Sequence, residues 1–161
     1  MSRPRPALVE LTIGEYDELV DQMAPLSADG TGWVNLRPII EAEHQPDPPG
    51  PFAIFGNSAH KVPTATWMPG ARNADGTAKR DTVGLQHSTG PRLARRLGDL
   101  GMPLPDGWKV TQDHARRGLV ATLPAGESNQ KTVDWLMRVA TVVCAVPVSG
   151  RWLASVHATR R

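Results

Sequence analysis

Three short segments concentrate the side chains that could do chemistry: His87-Ser88-Thr89-Gly90-Pro91-Arg92, His114-Ala115-Arg116-Arg117-Gly118 and Ser149-Gly150-Arg151. Guanidinium groups present planar, bidentate donors suited to phosphate and carboxylate. Hydroxyl residues and a glycine ahead of a helix leave unpaired backbone N–H groups at its positive end, a second means of holding an anion. Ser88, Thr89, Arg92, Arg116, Arg117 and Arg151 therefore form the expected anion-binding set. The signal is not specific. Ser-Thr-Gly-Pro lacks the spacing and the lysine of a phosphate loop, and a capped helix beside a solvated hairpin tip would use the same residues.

The same segments supply candidates for acid–base work, His87 and His114, and Gly56-Asn57-Ser58-Ala59-His60 adds His60 in a polar turn. A Ser88, His114, Asp113 triad can be written on paper. It fails on periodicity, because adjacent residues of a strand point to opposite faces. The five histidines never fall at metal-ligand spacing and Cys144 is the lone cysteine, so neither a metal nor a cofactor is expected.

The elements that must position these residues are legible in stretches. Thr12 and Glu15 have the spacing of a capping box, and Tyr16, Leu19, Val20 and Met23 make one helical stripe that Pro25 is expected to end. Trp33–Leu36 reads as extended. Residues 44–51 hold four prolines and a glycine and read as a linker. Phe52–Phe55 and Val62–Met68 are strand-like, and 69–81 is a polar loop.

The last eighty residues are clearer. Strands are expected at Thr82–Ser88, Trp108–His114, Leu119–Leu123 and Trp152–His157. Helices are expected after Pro91, with Leu93, Leu97 and Leu100 inward, and from Ser128 to about Val146. The order βαββαβ is that of a split βαβ, or ferredoxin-like, arrangement. The expected fold is thus α+β: a four-stranded antiparallel sheet with two helices on one face, and an N-terminal helical and short-strand segment packed on it. In that layout, with strand order 4-1-3-2, the three arginine-bearing segments emerge at one end of the sheet.

Charge is divided along the chain. Residues 1–50 carry three arginines against nine acids, and the remainder carries fifteen Lys and Arg against seven acids. This suggests an acidic N-terminal helical segment with a proline-rich linker (1–50) and a basic α+β domain (51–161) within one compact module. The basic part could meet either the acidic part or an anionic partner.

Met1-Ser-Arg-Pro-Arg-Pro is not followed by an apolar run, and Val139–Val148 is about half a membrane span. No membrane association and a cytoplasmic location are expected. Trp135, Val139 and Val142 lie outside the main stripe of helix 128–146, so a homodimer through that helix is expected unless the N-terminal third covers it. Two functions follow. One is a non-catalytic binding or interaction module that recognises an anionic ligand or a nucleic-acid backbone at the arginine-rich edge. The other is a small enzyme acting on a phosphorylated or carboxylated metabolite with a histidine acid/base. Nucleic-acid reading by base stacking is disfavoured by the low aromatic content of the inferred strands.

Overall fold

A computed structural model describes residues 4–47 and 61–159, so His60, Phe52–Phe55 and part of the proline-rich linker lie outside the described residues. The chain runs β1 (Ala7–Thr12), α1 (Asp17–Asp29), β2 (Trp33–Pro38), β3 (Thr64–Met68), β4 (Thr82–Gln86), α2 (Leu93–Asp99), β5 (Lys109–His114), β6 (Gly118–Thr122), α3 (Asn129–Val143) and β7 (Arg151–His157). The strands form one seven-stranded antiparallel sheet in the order β1-β7-β2-β3-β4-β6-β5. The α+β class holds. The four-stranded ferredoxin-like layout is replaced by a wider sheet.

Part of the expected order survives: β4, β6 and β5 are neighbours as a split βαβ requires. The correction concerns β7, which was expected beside β4. The edge of β4 is instead taken by β3 through Thr64↔Gln86 to Met68↔Thr82. β7 inserts between β1 and β2, so that Trp152, Ala154 and Val156 meet Leu11, Val9 and Ala7 on one side and Pro38, Leu36 and Val34 on the other. Strand β1 was missed, because its apolar residues Val9 and Leu11 alternate over too short a run to stand out from the helix that follows.

Alternation sorts every strand into a covered and an open side. Val9, Leu11, Val34, Leu36, Trp67, Val83, Leu85, Leu119, Trp152 and Ala154 are all at most 5% exposed and share the covered side. There α1 packs against β7, α2 against β5, and α3 against β2 and β3. The other side carries no helix among the described residues.

Two local expectations also change. Thr12 and Glu15 bond through their side chains at 2.7 Å, but α1 begins later, after Tyr16. The helix then continues through Pro25 to Asp29, because Leu26 still has core to bury, and Gly30 closes it in the left-handed conformation (φ 65°). Ser128 caps α3 as expected, its Oγ accepting from the Lys131 N–H at 3.2 Å.

The extra apolar surface of α3 is met within the chain. α1 packs along it, with Tyr16 Oη donating to Asp134 and Asn129 Nδ2 donating to Ser27 Oγ. Trp135 rests edge-on against Trp108 at 5.0 Å and donates its indole N–H to the Pro103 carbonyl. Val139 is fully buried, and Val142 remains 46% exposed. Of the three residues that suggested a second copy, Trp135 and Val139 are thus packed within the chain and Val142 is not. No helix of the described chain is long and apolar enough to cross a membrane.

Candidate binding face

Strands β1, β2, β4 and β5 run one way and β7, β3 and β6 the other, so the turn after β4, the β5–β6 hairpin and the start of β7 do reach one rim. They do not converge along it. Between β7 and β4 stand β2 and β3, a separation of three strand spacings, or about 14 Å. At its own place Arg151 binds Glu10 at 2.8 Å and lies 3.8 Å from Glu41.

The start of α2 is already occupied. Asp113, reaching from the covered side of β5, accepts the amide N–H groups of Leu93 at 3.0 Å and Ala94 at 2.9 Å. This carboxylate does what an external anion was expected to do. The sequence held the signal: the alternation that removes Asp113 from a triad with His114 also aims it at the helix side. Arg92, just before α2, is exposed and takes a left-handed backbone (φ 60°). Ser88 is half-buried. The exposed Thr89 uses its hydroxyl on Arg96 Nη2 at 3.1 Å.

The two described histidine candidates do not share a site. His87 is 1% exposed on the covered side, where Nδ1 lies 2.9 Å from the Thr89 hydroxyl and accepts the Thr89 N–H. His114 pairs with Gly118 on the open side, and its Nδ1 accepts the N–H groups of Arg116 and Arg117 at 3.1 and 3.3 Å. It closes the hairpin whose tip carries those two arginines. Tyr16 and Asp134 form a bonded pair between α1 and α3. Burial of the Asp134 carboxyl pushes its pKa up, but bonds from Arg138 and Tyr16 outweigh this and hold it below the ordinary value. The Tyr16 hydroxyl is raised, first by burial and then by its bond to Asp134. A tyrosine held protonated between two helices serves as a brace.

What the strand order does assemble is the open face. Its strand positions include Arg37, Lys109, Gly118 beside Arg117, and Arg151; among the described residues Glu10 is its one acidic strand position, paired with Arg151, whose guanidinium also lies 3.8 Å from Glu41. Arg37, Lys109 and Arg117 are exposed, and none pairs with a carboxylate among the described residues. The face is therefore cationic. Along its lower row Trp33 stacks on His157 with ring centroids 4.6 Å apart, and Met68 stands 46% exposed on the next strand.

A groove of about 200 Å³ crosses this face over β3, β4 and β6. Gly84 forms its floor between Thr66 and Val120, Met68 closes one end, and Gln86 and Arg117 close the other. Sequence reasoning passed over Gly84, although a lone glycine inside Thr82–Gln86 is the pattern that marks close approach by another group. Scanned against protein-family models, curated proteins and solved structures, the chain matches none. The residues of the face carry the functional reading alone.

Proposed function

We propose that the protein is a non-catalytic binding module that takes an anionic partner on the open face of its sheet, with Arg117, from the expected arginine-rich edge, at the mouth of the groove. The observation that supports this reading is the charge of the face. Arg37, Lys109 and Arg117 stand exposed there, without carboxylate partners among the described residues, and the one acidic strand position described on this face is paired with Arg151. Such a surface attracts negative charge over a range set by ionic strength, roughly 8–10 Å at 0.1–0.15 M salt. A face that none of α1, α2 and α3 covers also offers the width that a macromolecular partner needs.

The test uses fluorescein-labelled decaglutamate as an anionic probe, titrated with the full chain by anisotropy at increasing salt. Arg37→Glu combined with Arg117→Glu is expected to weaken binding by roughly ten-fold or more, because exposed charges act mainly through the summed field. Arg92→Glu combined with Arg95→Glu, on the helix side, serves as the control and is expected to change it by less than about two-fold. The reading fails if the control pair abolishes binding while the open-face pair leaves it intact.

A further inference from the structure

Gly84 sits in a row that crosses all seven strands, Leu8-Ser155-Asn35-Thr66-Gly84-Val120-Gln112, in which every other strand carries a side chain. Its backbone does not need glycine. Gly84 is absent from the left-handed positions, and a Cβ there would meet only the Leu119 carbonyl oxygen, at an ordinary 3.9 Å. Glycine inside a strand weakens it relative to alanine, because the unfolded chain has more backbone freedom to lose. The fold thus gives up stability at this position and gains only an open groove.

We infer that this groove receives one apolar side chain of an extended acidic peptide segment, with a carboxylate two residues away held by Arg117. The inference rests on the open face being the binding surface. At about 200 Å³ the groove is smaller than the roughly 300–1,000 Å³ of small-molecule sites, so it fits one side chain. Met68, Gly84 and Val120 give it an apolar lining, while Gln86 and Arg117 mark its polar end. In a peptide laid along β4, side chains two positions apart share a face and stand about 6.8 Å apart. That is also the step from Gly84 to Gln86, so an apolar anchor over Gly84 brings an acidic residue two positions on to Gln86 and Arg117.

Charge complementarity selects an acidic segment, since the face around the groove is cationic. A single-stranded nucleic acid suits it less. Base stacking needs open aromatic faces, and Trp33, the aromatic ring on this surface among the described residues, has His157 stacked on one side.

Labelled nonapeptides of serine and glycine carry a glutamate and a leucine either two positions apart or adjacent, with a third peptide replacing leucine by serine. Binding to the full chain is read by anisotropy, with labelled decaglutamate and a twelve-residue oligothymidylate alongside. The peptide with the two-position spacing is expected to bind roughly five- to ten-fold more tightly than either other peptide, the gain of burying part of one leucine side chain. Gly84→Leu is expected to remove this preference and Gly84→Ala to reduce it. Arg117→Ala is expected to remove the dependence on spacing.

If all three peptides bind equally and Gly84→Ala changes nothing, the groove is not a recognition site, although the charged face still stands. If decaglutamate binding is also indifferent to charge reversal at Arg37 and Arg117, the underlying reading falls with it. Oligothymidylate binding more tightly than every peptide, with sensitivity to Gly84→Leu, would overturn the peptide as occupant.

Discussion

The two faces of this sheet obey different rules. On the covered face nearly every strand position holds a residue that packing demands: Val34, Leu36, Ala65, Ala154 and Trp152 are all at most 1% exposed under α1 and α3. On the open face packing demands less, and threonine, asparagine, glutamine and arginine recur there among scattered apolar residues such as Leu8 and Val120. Departures from bland polarity are therefore informative only on the open side. An apolar residue on the covered face reports a core. Met68, the cationic excess and Gly84 on the open face meet no such demand, and they are the features that the proposed partner would use.

The largest effects are expected on the covered side. Leu136 on α3 and Leu97 on α2 are fully buried, and replacing either with alanine should lower unfolding free energy by about 2–5 kcal/mol, measured by urea denaturation. Met68→Ala on the open face is the partner measurement, expected within about 0.5 kcal/mol of wild type. Equal losses at Leu136 and Met68 would erase the distinction between the faces.

Much of the covered face was readable in the sequence. Leu93 and Leu97 on α2 and Val133, Leu136, Met137 and Ala140 on α3 point inward as their spacing requires, and the β5–β6 hairpin falls where Arg116-Arg117-Gly118 places it. Leu100, expected on the same stripe as Leu97, lies past the end of α2 and is 63% exposed. Strand neighbours were harder. Nothing local to Trp152–His157 says whether β4 or β1 and β2 will pair with it, because β7 offers the same alternation to any partner. The candidate site followed the same division. Which segments share a rim depends on strand direction, and that was correct. Which segments are adjacent depends on non-local pairing, and the insertion of β2 and β3 moved Arg151 away.

An intermediate effect is expected where the covered side is held by charge. Glu127, with its side chain 8% exposed, accepts from the Trp108 indole at 2.7 Å, Lys131 Nζ at 3.1 Å and the Ser128 N–H at 3.0 Å. Burial raises its pKa, and these donors together outweigh burial and hold it below the ordinary 4.5. A carboxyl lowered on folding contributes stability that is present above pH 4.5 and is lost as pH falls below it toward the folded value. Glu127→Ala should therefore cost about 1–3 kcal/mol at neutral pH by leaving the Trp108 N–H without its acceptor. The gap between variant and wild type should narrow below pH 4.5, in urea titrations across the acid range. A gap that stays constant would assign the loss to packing rather than to the charge.

The smallest effect is the one that most sharpens the contrast, because its sign is reversed. Gly84→Ala adds a methyl group where only a 3.9 Å contact awaits it, in a backbone that alanine adopts without strain. Losing backbone freedom in the unfolded chain should then raise stability by about 0.5–1 kcal/mol, seen as a higher urea midpoint at unchanged slope. The same experiment at Gly118, whose Cβ would stand 2.4 Å from the Leu85 carbonyl oxygen at φ +83°, should give the opposite sign. One glycine answers to the chain and the other does not. Should Gly84→Ala prove destabilising instead, the strand needs its glycine for folding, and the groove becomes a by-product of β4 rather than a feature kept for a partner.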